Sequence, residues 1–98
     1  NKAFIVPAGI SMEMGLTCIN QYETRVKKIC LSRASRKILL ADSSKFDRVS
    51  PVHFADWDEI DMVVTDRVPS DEWKMFFEGN KIQVVVAEQK PVEVFHKE

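Results

Sequence analysis

Four consecutive polar residues, Asp42-Ser43-Ser44-Lys45, follow directly on the apolar run Ile38-Leu39-Leu40-Ala41. Together they offer a carboxylate acceptor, two hydroxyls and an ammonium. Open α/β sheets bind ligands beyond the carboxyl ends of their strands, and a strand of this length ending in this way suits an anion or a sugar phosphate. Lys45 would supply charge, Ser43, Ser44 and backbone N–H groups would donate, and Asp42 would accept from a hydroxyl. The same residues also make an ordinary polar loop between a strand and a helix, and their identity alone leaves both possibilities open.

Other polar residues invite the same double interpretation. Thr17, close to Gly15 in an earlier loop, could contact that ligand or cap its own turn. Glu23 and Lys27 are spaced four apart with the acid first, the favoured order for a helix ion pair worth about 0.3–0.5 kcal/mol. They belong to a binding site only if that end of the helix points into the cleft. His53 and His96 have no partner at a spacing that suggests a metal or a catalytic pair. No Ser/His/Asp order, Gly-rich phosphate loop or nucleophile elbow is visible. The residue patterns therefore assign no catalytic residue, no metal and no cofactor.

The elements that must position these groups follow from apolar patterning. Ala3-Phe4-Ile5-Val6 reads as a strand stopped by Pro7 and Gly9, and residues 10–17 as a loop at its carboxyl end. Asn20 with Glu23 three positions later resembles a capping box and starts a helix. On that helix Tyr22, Val26, Ile29, Cys30 and Arg33-Ala34 fall on one stripe, expected to be buried. Arg33, Arg36 and Lys37 suit the negative pole of the helix. Residues 37–41 form a strand without alternation, as expected for one buried on both faces. Val52-His53-Phe54 is a short extended piece, and residues 56–59 are one helical turn. Residues 61–65 make a third strand, closing again on an acid, Asp66. A second helix begins after Pro69-Ser70 with Asp71 and Glu72 in its first turn and stops at Gly79. Trp57, Trp73, Phe76 and Phe77 are expected in the core. Residues 81–87 form a fourth strand, and the chain from Glu88 alternates weakly through Val92, Val94 and Phe95. This order implies an open α/β fold with a mostly parallel sheet and flanking helices.

At 98 residues the chain forms one domain or part of one. Fourteen basic and 15 acidic side chains give a net charge of −1, which provides no basic field to hold nucleic acid phosphates. Cys18, in the expected loop, and Cys30, at the expected helical core position, lack a CxxC or Cys/His pattern and read as reduced thiols. No stretch approaches the roughly 20 apolar residues of a membrane span, and no signal peptide opens the sequence. A cytoplasmic protein with no membrane partner is expected.

Residues 2–17 (KAFIVPAGISMEMGLT), 22–29 (YETRVKKI), 38–49 (ILLADSSKFDRV) and 60–66 (IDMVVTD), in this order and spacing, resemble the carboxyl-terminal effector domain of the DeoR family of bacterial transcription regulators. The resemblance implies a Rossmann-like fold related to ribose-5-phosphate isomerase, incomplete here. It also implies a sensor for a phosphorylated sugar or polyol, acting in a regulator, expected to be a repressor, of carbohydrate catabolism. Operator DNA would be held by a winged helix-turn-helix domain that these 98 residues do not contain. Carried over residue by residue, the implied ligand contacts are Gly15, Thr17, Glu23, Lys27, Asp42, Ser44 and Lys45. A homo-oligomer is expected. Two alternatives are a sugar-phosphate isomerase and a module for oligomerisation only. Against the first, alignment on Asp42 and Lys45 brings Lys27 to or near the position of the isomerase's catalytic glutamate. An ammonium is a poor carboxylate base, so no enzyme is expected.

Overall fold

The computed structural model describes residues 1–87; the alternation expected beyond Glu88 lies outside them. Four strands form a parallel sheet in the order β1 (Lys2–Ile5), β4 (Arg36–Leu40), β6 (Met62–Thr65), β7 (Gln83–Val86). Three more form an antiparallel sheet in the order β2 (Gly9–Ser11), β3 (Gly15–Cys18), β5 (Val52–Ala55). Helices α1 (Gln21–Arg33) and α2 (Asp71–Gly79) and two single 3-10 turns, Ser43–Lys45 and Trp57–Glu59, complete the described residues. None of the described helices is long and apolar enough to cross a membrane.

The expected α/β fold with a parallel sheet is present, and the antiparallel sheet is the main departure from expectation. The stretch 10–17, expected as a loop, instead folds back as a hairpin in which Gly9 pairs with Thr17 and Ser11 with Gly15. Gly15 makes this possible: its φ is +75°, and a Cβ there would lie 2.7 Å from the Ala55 carbonyl oxygen. The short piece at 52–54 becomes β5 and pairs with β3. A period-two pattern this short, interrupted by Met12-Glu13-Met14, resembles a loop in the sequence.

Each step from β1 to β4, β6 and β7 moves to the next strand in the same direction. Right-handed crossovers then put every connection on one face of the sheet. Burial follows this rule. Ala3, Ile5, Leu39, Ala41 and Val63 join Leu31 of α1, Trp73 and Phe77 of α2, and Phe54 and Trp57 in a single core. Most of the aromatic rings meet edge to face, with Trp57 and Trp73 centroids 5.8 Å apart and Phe46 and Trp73 centroids 5.0 Å apart, while Trp73 and Phe77 are tilted at 36°.

The other face is different. In register, Phe4, Ile38 and Met62 form one row, and Leu40, Val64 and Val85 the next, with Val6 following Phe4 on the same side of β1. Phe4 is 58% exposed and Val6 56%, and no described element covers these rows.

The stripe expected to be buried on α1 is also turned outward. Tyr22, Val26, Ile29 and Cys30 are exposed, whereas Thr24 and Leu31 are the buried positions. Thr24 anchors that face, its hydroxyl meeting Cys18 Sγ at 2.9 Å and donating to the Asn20 carbonyl oxygen. Apolar periodicity identified a stripe without showing what it faces. Cys18 is correspondingly buried in β3 instead of lying in a loop, and both cysteines are free. Arg33 closes α1, while Arg36 and Lys37 belong to β4.

Candidate functional site

The segment expected to carry chemistry stands at the carboxyl end of β4, near the middle of the parallel sheet. Asp42 caps a 3-10 turn formed by Ser43, Ser44 and Lys45. Its Oδ1 accepts from the Ser44 N–H at 2.8 Å and also from the Ser44 hydroxyl. These two bonds first, and then the charges of Lys45 and Arg48, hold the Asp42 carboxyl below its usual range. Asp42 and Ser44 are exposed and Lys45 is half-buried.

Three further contacts fix this loop. The Ala41 N–H donates to the Val64 carbonyl at 3.0 Å. The Ser43 N–H donates to Asp66 Oδ1, at the end of β6, at 2.7 Å. Trp73 of α2 donates its indole N–H to the Asp47 carboxylate at 3.2 Å. Asp47 has a φ of +61°, a left-handed conformation that aspartate tolerates better than most residues. The sequence pattern does not assign Asp66 or Trp73 to the site, although it carries one signal: Asp66 closes its strand on an acid just as Asp42 does.

Beside the loop is a crevice of about 360 Å³ across the carboxyl edge of the sheet. Val6, Leu40 and Val64 are among its apolar lining, and Asp42 and Asp66 supply its carboxylates. A hollow of about 200 Å³ lies across Ser43, against Arg67, Ser70 and Trp73. Another hollow, about 390 Å³, runs between β1 and α1 against Phe4, Cys30 and Arg33, away from this chemistry. The carboxyl-edge crevice is the candidate because it adjoins charged and hydroxyl-bearing groups and has an apolar floor.

The remaining candidate residues lie in a second neighbourhood, on the antiparallel sheet and α1. Thr17 is 1% exposed. Its hydroxyl donates to the Gly9 carbonyl at 3.1 Å and accepts from the Ser50 N–H at 2.9 Å. Gly15 is buried at the hairpin turn. Glu23 and Lys27 face each other at 3.8 Å, and the Lys27 ammonium lies 5.8 Å from the centre of the Phe54 ring. Asn20 Oδ1 accepts from the Glu23 N–H at 2.9 Å, one half of the expected capping box, and the Glu23 carboxylate turns to Lys27. Among the described residues no hydrogen bond or ion pair joins this group to Asp42, Ser44 and Lys45. Their link is indirect: Phe46 bridges to Ile10, and Ile10 pairs with Leu16.

His53 Nε2 lies 2.8 Å from Asp56 Oδ1 on the surface. Asp56, Asp58 and Glu59 come within reach of one another, but Glu59 already accepts from the Asp56 N–H at 3.0 Å to close the turn.

The model of the DeoR C-terminal sensor domain matches residues 1–67. Among curated proteins, the deoxyribose operon repressor of Escherichia coli is 35% identical over 83 residues, covering 85% of this chain and 33% of that protein. The HTH-type transcriptional repressor GlcR of Bacillus subtilis is 35% identical over 89 residues, covering 91% of this chain and 34% of its own length. The HTH-type transcriptional regulator GlpR of Haloferax volcanii is 40% identical over 63 residues, 64% of this chain and 25% of that protein. The chain spans about a third of the length of the first two of these relatives.

Proposed function

Because the chain belongs to the DeoR C-terminal sensor domain family, we propose that it is the effector-sensing part of a transcriptional repressor of carbohydrate metabolism, and that its effector is a phosphorylated sugar or polyol. Asp42, Ser44 and Lys45 contact the effector, with Lys45 drawing its charge and Asp42 accepting from a hydroxyl. The observation that carries this reading is the capped turn Ser43–Lys45 beside a crevice at the carboxyl edge of the parallel sheet. Gly15, Thr17, Glu23 and Lys27 support the site from the antiparallel sheet and α1. Operator DNA is bound by another domain of the whole protein, and ligand binding releases it. No turnover is involved: Lys27, at or near the position of an isomerase's base, pairs with Glu23 beside Phe54.

These 98 residues are the carboxyl-terminal part of a larger sensor domain. Two observations support this: the curated relatives are about three times as long as the stretch they share with this chain, and one face of the parallel sheet is apolar and exposed. Parallel sheets are covered on both faces. Copies of the whole protein associate as a homo-oligomer.

The test is calorimetric titration of the full-length protein with ribose 5-phosphate, glucose 6-phosphate and glycerol 3-phosphate, each beside its unphosphorylated parent. One phosphorylated compound should bind, and Lys45→Ala should weaken it about tenfold or more, the loss expected for a charge-assisted contact. Equal binding of the unphosphorylated parents, or titration unmoved by Lys45→Ala, would exclude the phosphate-sensing role of this loop.

A further inference from the structure

We infer that Asp66 is a positioning residue of the effector site: its carboxylate, at the end of β6, sets the loop that presents Ser44 and Lys45. This rests on the reading that the loop touches the effector, and it adds a residue that the sequence pattern did not assign.

Ser43 begins the 3-10 turn, where a backbone N–H has no partner within the turn itself. Asp66 Oδ1 takes that N–H at 2.7 Å, the short distance of a bond to a charged acceptor. The same oxygen is 3.5 Å from the Thr65 hydroxyl, which steadies it from its own strand. Among the described residues, Asp66 is the one side chain from outside the loop that hydrogen-bonds any of residues 42–46. The tether joins two strand ends that flank the same crevice, so the distance between β4 and β6 at this edge and the direction of the turn are fixed together. Without it, the Ser43 N–H is left to solvent, and the start of the turn loses its tie to β6, while the cap from Asp42 to Ser44 and the Trp73–Asp47 bond further along the loop remain. The turn beside the crevice would then sample other orientations, and affinity would fall by the fraction of molecules that no longer present Ser44 and Lys45 as the bound state requires.

The chemistry of the bond provides a conservative control. An asparagine carbonyl oxygen still accepts from the Ser43 N–H, whereas alanine cannot.

The experiment compares full-length wild type, Asp66→Ala, Asp66→Asn and Lys45→Ala by amide hydrogen exchange and by titration with whichever of ribose 5-phosphate, glucose 6-phosphate or glycerol 3-phosphate the wild type binds most tightly. Asp66→Ala should speed exchange at Ser43 to Lys45 about tenfold and weaken the titration about tenfold. Asp66→Asn should restore most of both, and the thermal midpoint should stay near wild type. If Asp66→Ala unfolds the protein, local exchange and titration of Asp66→Asn decide, since a retained tether keeps both near wild type. Unchanged exchange at Ser43 in Asp66→Ala overturns the tether. A titration weakened by Lys45→Ala but not by Asp66→Ala overturns the role of Asp66 and leaves the contact by Lys45 standing. Where Lys45→Ala leaves the titration unmoved, or none of the three compounds binds, the reading of the loop fails, and the role of Asp66 in effector binding falls with it.

Discussion

Asp42 accepts from both the N–H and the hydroxyl of Ser44, so the turn at the end of β4 is built around the charged form of that carboxyl. Its pKa lies below the ordinary 3.8. For a depressed carboxyl the stabilising contribution is present in full above the unfolded value and is lost as pH falls through the lower folded value. The Ser44 amide resonance should therefore shift with a midpoint below pH 3.8, whereas in Asp42→Asn it should show no such titration. A midpoint at or above 3.8 would mean that the cap is not formed in solution. Thr17 illustrates the opposite case, a polar residue whose bonds are internal. Its hydroxyl donates to Gly9 and accepts from Ser50, so Thr17→Val should cost about 1–3 kcal/mol in urea unfolding by leaving buried backbone groups unpaired. Thr17→Ser should cost much less. An effector specificity altered in Thr17→Ser would show that Thr17 does more than brace the hairpin.

The elements that were legible in the sequence are those whose signals are local. A strand at 37–41, a helix started by Asn20 and another by Ser70 all formed within a residue or two of expectation, because capping side chains and apolar runs act on their own neighbours. The Asp42–Lys45 turn was legible for the same reason. What the sequence did not reveal depends on tertiary partners. The hairpin β2–β3 acquires its pairing from β5, more than thirty residues along the chain, and α1 presents Thr24 and Leu31 to the core because Cys18 and the sheet are there to meet them. Asp66 and Trp73 entered the site because the fold brings β6 and α2 against the loop. The hairpin depends on Gly15. Gly15→Ala should lose at least about 1–2 kcal/mol for the left-handed backbone alone, with more from the 2.7 Å approach to the Ala55 carbonyl. Denaturant unfolding measures the loss, and a loss below about 0.5 kcal/mol would mean that the hairpin turn relaxes freely.

For the whole molecule, the exposed apolar face of the parallel sheet has the clearest consequence. Phe4, Val6 and Val85 are exposed while Ile38, in the row with Phe4, is buried, a pattern of an apolar layer open on its outer side. Every crossover lies on the opposite face, so continuing the sheet in the same direction could not cover it. The two states of Phe4 differ enough in energy to be told apart by one substitution. Phe4→Ala at a site that stays in solvent changes stability by about 0.5 kcal/mol or less. At a site buried by the rest of the polypeptide it costs about 3–5 kcal/mol. On the reading that these residues are part of a larger sensor domain, chemical denaturation of the full-length protein over a range of protein concentrations should give the larger, concentration-independent loss. A loss that grows on dilution would instead assign the cover to a second copy. No loss at all would mean that the face remains open to water in the complete protein.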